Sequence, residues 1–219
     1  MRRSILRFSL RFSLIYSLIL LFCMAPPVAA GPPATKTAAS MSVWDTTMGA
    51  GFKKGTIEAG FSLGAGAGAK IFGSDLRHDL ALGYARFGKI VSNVLGQGHW
   101  YAGNFALRAE LIGGTQFNPN TRYVTGMTLG PRYYFATGSR WVPFIDAGAG
   151  AGATDIGNPD LSTTFEFLLQ FGGGTLYMLR DDLALNFAAQ EFHISNADID
   201  QPNNGSNTIM FLGGLTWFF

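Results

Sequence analysis

Cysteine is nearly absent from the chain: the one in 219 residues, Cys23, falls within the first 30. Beyond that point there are no disulfide staples, no thiol nucleophile and no thiolate metal ligand. Charge is scarce as well, at 14% of residues, where a soluble domain of this size carries nearer a quarter. Past residue 30 no stretch approaches the ~20 apolar residues that a spanning helix requires, so transmembrane helices are excluded. His78 and His99 each stand apart from any His, Cys or carboxylate arrangement with metal-ligand spacing. Gly64-Ala65-Gly66-Ala67-Gly68-Ala69-Lys70 lacks the Gly-Lys-Ser/Thr ending and the strand–helix setting of a phosphate loop. It reads as a flexible loop at a strand end.

What is present divides the chain in three. Residues 1–30 begin with Arg2, Arg3, Arg7 and Arg11, continue through an apolar run from Phe12 to Met24, and close on Val28-Ala29-Ala30. This is the pattern of a secretory signal peptide. Removing its four arginines leaves 12 basic against 14 acidic residues, a net charge of −2. Nothing in that balance points to a nucleic acid partner. Residues 31–54, rich in Pro, Ala, Thr and Ser, read as a linker and lead-in. From residue 55 to 219 strand-like runs alternate with turns.

Strands are expected near 55–65, 79–94, 99–113, 121–136, 141–153, 164–179, 182–195 and 207–219. Each reaches the ~9–11 residues that a tilted strand needs to cross a bilayer. Short connections at 95–98, 137–140 and Arg180-Asp181 alternate with longer polar ones at 66–78, 114–120, 154–163 and 196–206. The 29 glycines and 19 phenylalanines suit a sheet that meets lipid. In the last strand Ile209, Phe211, Leu215, Trp217 and Phe219 share one parity. Trp44, Trp100, Tyr101, Trp141 and Trp217 fall near strand ends, where interfacial girdles belong. The fold class expected is all-β, an eight-stranded antiparallel outer-membrane barrel with the long loops outside the cell. At that size side chains fill the interior, so a pore is excluded. A soluble sandwich is the other all-β solution.

Chemistry concentrates at Glu191-Phe192-His193-Ile194-Ser195-Asn196-Ala197. His193 and Ser195, two apart in a strand, project from the same face. An imidazole beside a hydroxyl is the least that activates a serine. The odd face of this strand is apolar through Leu183, Leu185 and Phe187, and the even face carries Asn186 and Gln190. His193 and Ser195 therefore point toward the bilayer, near its outer interface, where polar groups cost least. Asn207 has the parity of the outward Ile209 and Phe211 and can face the histidine across the loop. A nucleophile aimed sideways into the outer leaflet implies a lipid substrate.

Phe192-His193-Ile194-Ser195-Asn196-Ala197, Pro202-Asn203-Asn204-Gly205 and a last strand ending in Phe219 resemble the lipid A 3-O-deacylase (PagL-type acyloxyacyl hydrolase) family. Pro143-Phe144-Ile145-Asp146-Ala147-Gly148-Ala149-Gly150, leading to Asp155-Ile156-Gly157, resembles that family's fifth strand and third loop. The resemblance covers about 120–219 in detail and the first half in general pattern. It implies an outer-membrane ester hydrolase acting on lipid A of lipopolysaccharide without a cofactor. Ser195 would be the nucleophile and His193 the general base, with Asn196 and Asn203 shaping the oxyanion site or holding the loop. The family pattern has a glutamate orienting the histidine fourteen residues after it, and here that position is Asn207. Asparagine can orient an imidazole but cannot offset the imidazolium charge. Glu191, Asp198 and Asp200 are the carboxylates that could substitute. Arg122, Arg132 and Lys70 are candidates for lipid A phosphates. A homodimer is left open, and the alternative function is a non-catalytic barrel with a structural or adhesive role.

Overall fold

The computed structural model describes residues 42–71 and 77–219. The segment read as a signal peptide, and the lead-in up to Met41, lie outside the described residues.

Eight strands run in chain order as β1 (Ile57–Gly68), β2 (Asp79–Ile90), β3 (Gly103–Asn118), β4 (Arg122–Phe135), β5 (Trp141–Thr154), β6 (Phe165–Arg180), β7 (Leu183–Ser195) and β8 (Ser206–Phe218). Each pairs antiparallel with the next, and β8 closes the barrel on β1. The expected bounds of β1 and of β4 to β8 hold within three residues. The reason is the period of two: one face must meet lipid and the other the packed interior, so apolar side chains recur at alternate positions and the turns interrupt them.

The Gly-Ala run from Gly64, read as a flexible loop, is instead paired strand as far as Gly68, held by the β8 ladder. Two connections also differ from expectation. The long loop expected at 114–120 shrinks to 119–121, because β3 continues to Asn118 and pairs with Asp79 on one side and, through Gln116, with Arg122 on the other. Gly113 and Gly114 do not break that ladder. Conversely, the short turn expected at 95–98 is a connection spanning 91–102. Side chains replace the ladder there: Ser92 Oγ accepts the Phe105 amide (2.8 Å), and Asn104 Nδ2 donates to the Ser92 carbonyl (3.1 Å).

The interior is filled in three layers. At the end with the two-residue β6–β7 turn, Trp44 and Phe52 join Ile90, Tyr134, Val142, Phe144, Leu176 and Phe218 in one apolar cluster. Trp44 is therefore not a girdle residue. It stacks on Phe52 at 4.4 Å between ring centroids, and the Asn104 side chain clamps Phe52 by accepting its amide and donating to its carbonyl. Residues 42–56 thus stopper the barrel, which the composition of that stretch does not announce. Trp100 and Trp141 do stay exposed at strand ends, as a girdle requires.

A charged belt crosses the middle. Arg86 and Arg108 both bind Glu110 (2.6 and 2.7 Å), and Arg132 binds Asp146 (2.6 Å) while lying 3.9 Å over the Phe144 ring. Tyr134 donates to Glu58. Arg132 is buried in this belt and cannot meet a lipid phosphate, contrary to the sequence expectation. The third layer, below the mouth of the barrel, gathers Leu80, Leu82, Val124, Ile156, Leu161, Leu168, Phe192, Ile194 and Met210. Phe61, Leu63, Phe87, Leu111, Leu129, Leu169, Phe187 and Phe211 remain exposed on the outer wall, the band that faces hydrocarbon.

Candidate active site

β7 delivers His193 and Ser195 to the outer wall because its even residues Asn186, Gln190, Phe192 and Ile194 are drawn inward and buried. The β7–β8 register sets His193 directly opposite Asn207. On the other flank Leu169 and Phe167 of β6 pair with His193 and Ser195, and both present exposed apolar side chains. The histidine and serine therefore sit half-buried on a face otherwise made for lipid.

Three side chains form one hydrogen-bonded line. His193 Nε2 lies 2.9 Å from Ser195 Oγ, and His193 Nδ1 lies 2.7 Å from Asn207 Oδ1. The proton positions follow from one further contact: Asn207 Nδ2 donates to the Ile71 carbonyl at 2.8 Å. That fixes which end of the amide faces the ring, since only the NH2 group can donate. Asn207 Oδ1 must then accept from Nδ1–H, which leaves the Nε2 lone pair for the serine hydroxyl. This is the tautomer that a general base requires. Asn207 is only 1% exposed, so water does not compete for its oxygen.

The loop between β7 and β8 is held by its own polar residues. The Asn196 amide donates to Asn203 Oδ1 (3.0 Å), Asn196 Nδ2 donates to Ser162 Oγ and to the Asp200 carbonyl (3.0 Å each), and Asn203 Nδ2 donates to Asp198 Oδ1 (3.1 Å). The geometry of Asn196 and Asn203 is that of loop ties rather than of free donors aimed at the serine. Ala197 and Asp198 turn the chain in the left-handed region (φ 55° and 62°). Gly205, at φ +72°, lies so near the histidine that an added Cβ would stand 3.2 Å from His193 Cε1.

Glu191 lies on the same face, one pleat below His193, yet among the described residues it makes no hydrogen bond to the ring, and its Oε1 is buried without a partner. The two loop carboxylates, Asp198 and Asp200, bind Gln201 and Asn203 instead. Among the described residues Asn207 alone holds the Nδ1 side. Of the basic candidates, Lys70 is exposed between Ala69 and Ile71, both of which bond Asn207, and Arg122 is half-buried beside Asp155 at 3.7 Å.

The chain that carries this site matches a known family over most of the barrel. The family model described as lipid A 3-O-deacylase (PagL) matches residues 76–216. The chain belongs to the lipid A 3-O-deacylase family. Members are outer-membrane barrels of eight strands that act on lipid A. The crystal structure of the outer membrane enzyme PagL superposes with a TM-score of 0.52 at 18% identity, covering 71% of this chain and 97% of that one. Neisserial surface protein A superposes at 0.54 with 12% identity, covering 76% and 100%. At such identities these likenesses establish the barrel and nothing finer. No curated protein shows significant similarity to the sequence.

Two supports of the site left no trace in the sequence. The Ile71 carbonyl is a backbone atom 136 residues from its partner. His78, which reads as isolated, is in fact buried against the Asp160 carboxylate at 3.0 Å and Gln116 Oε1 at 2.6 Å.

Proposed function

We propose that this deacylase-family barrel hydrolyses the 3-O-acyl ester of lipid A, with Ser195 as nucleophile, His193 as general base and Asn207 as the group that orients the imidazole. The observation that carries this reading is the line Asn207–His193–Ser195, with its proton placement fixed by Ile71, on a face that only an amphiphile can reach.

His193 Nε2 takes the serine proton as Oγ attacks the ester carbonyl. The tetrahedral intermediate collapses, and the sugar alkoxide leaves with the proton carried by His193. The acyl chain stays on Ser195 until water, deprotonated by the same nitrogen, attacks it and releases a 3-hydroxy fatty acid. Each step moves only protons and an acyl group, so side chains and water suffice. Asn207 holds the ring through both transfers but offers no charge to the imidazolium, which makes a slower enzyme than a carboxylate would. Asn196 and Asn203 keep the loop closed behind the serine. Lys70, exposed beside the site, is placed to meet a lipid A phosphate.

The test is mass spectrometry of lipid A incubated with the barrel in detergent. Wild type should remove one hydroxyacyl chain, and Ser195→Ala should remove none. A silent wild type would assign the chain instead to a non-catalytic role on the same fold, and equal activity of the two would overturn Ser195 as the nucleophile.

A further inference from the structure

We propose that His78 and Asp160 form a buried latch that seats the catalytic loop, so that both are positioning residues for the deacylation proposed above, on which this inference rests. Neither touches the reacting atoms. Their effect passes through the backbone.

The latch begins with proton placement. Gln116 Nε2 donates to the Asn120 carbonyl (3.0 Å), which turns Gln116 Oε1 toward His78 Nδ1. That nitrogen must donate. The other, Nε2, faces a carboxylate oxygen of Asp160 at 3.0 Å. His78 thus ties Gln116 to Asp160 while only 2% exposed, and Asp160 is 1% exposed. Among the described residues His78 is the sole side-chain partner of the Asp160 carboxylate, whose Oδ1 is buried without any.

From Asp160 the connection runs directly to the site. Its backbone carbonyl accepts the amides of Asn204 (2.9 Å) and Gly205 (3.3 Å). Gly205 packs against the His193 ring. The next residue, Leu161, bridges Asn203, whose side chain holds the amide that follows Ser195. From His78 a second arm reaches β8, where Thr208 Oγ1 donates to the His78 carbonyl (2.9 Å), one residue beyond Asn207. The latch therefore bears on all three members of the line: Ser195 through Asn203, His193 through Gly205, and Asn207 through Thr208.

Removing the imidazole leaves a carboxylate buried and alone, which is far costlier than losing both partners. Asp160 must turn toward water, and the 155–164 loop moves with it. Displacements on the scale of an ångström at a reacting pair cost up to about a hundredfold in rate.

The experiment compares wild type, His78→Ala, Asp160→Asn and the double variant by three readouts: lipid A turnover, phosphonylation of Ser195 by a small soluble fluorophosphonate, and hydrogen exchange at 203–205. His78→Ala should lower kcat about a hundredfold with KM unchanged, slow phosphonylation in proportion, and speed exchange at 204 and 205 but not in β7 or β8. Asp160→Asn, which keeps the shape without the charge, should lose about tenfold. It serves as the test if His78→Ala does not give a folded, heat-modifiable barrel. The double variant should recover about tenfold over His78→Ala, because no charge is then stranded. A structural role alone would predict additive loss. His78→Ala at the wild-type rate, or a loss without faster exchange at 204 and 205, overturns the latch. A wild type that neither deacylates lipid A nor reacts at Ser195 refutes the proposed function instead, while exchange still reports on the latch.

Discussion

Replacing Asn207 by aspartate puts a charge where the site has only a dipole, and the structure sets both sides of the outcome. Asparagine and aspartate are the same size, so the oxygen facing His193 Nδ1 stays at about its present 2.7 Å. When Nε2 takes the serine proton, that oxygen faces an imidazolium. At ~4 Å and an effective dielectric near 20, the attraction between unit charges is about 4 kcal/mol. The opposing loss is the bond to the Ile71 carbonyl at 2.8 Å. A neutral hydrogen bond of this kind is worth ~1 kcal/mol, and a carboxylate oxygen against a carbonyl repels. The difference leaves roughly 1.4–3 kcal/mol in favour of the transition state, or about 10- to 100-fold in kcat. In serine hydrolases an amide at this position costs about 10⁴ largely by selecting the wrong tautomer. Here Ile71 already prevents that, so the gain from restoring charge is correspondingly smaller. The assay is single-turnover release of the hydroxyacyl chain across a pH range. Asn207→Asp should raise the plateau rate by that factor. A plateau no higher than wild type would refute the electrostatic reasoning.

Other outcomes follow from the same geometry. Gly205→Ala adds a methyl 3.2 Å from His193 Cε1 at a φ of +72°, and should lower kcat by about tenfold at unchanged barrel stability. Turnover measured beside heat-modifiable migration checks it. Arg132→Met leaves Asp146 only its longer contact to Arg108 (3.4 Å). Breaking one side of this buried pair should destabilise the barrel by about 3 kcal/mol, seen as a lower urea midpoint in detergent, whereas an unchanged midpoint would show that Arg108 compensates.

The sequence was most informative where a local period controls the result. Eight strands, their faces and the outward aim of His193, Ser195 and Asn207 all follow from alternation, because a one-residue slip would turn an entire apolar face away from lipid. It was least informative at connections. Ser92 and Asn104 replace ladder bonds by side-chain bonds, and no periodicity marks that exchange.

What the sequence determined alone is therefore the wall: strand count, closure into a lipid-facing barrel, and the side from which the serine is met. Tertiary structure decided what stands behind the wall. Arg132 reads as a surface cation until Asp146 of the neighbouring strand claims it, and Trp44 reads as a girdle residue until Phe52 and Asn104 bind the amino-terminal stretch into the interior. His78 and Asp160 are 82 residues apart, and Asn207 and Ile71 are 136 apart. Such partners share no spacing. Closure of the barrel brings distant loops to one rim, and burial there forces each polar group to find whichever partner the rim supplies.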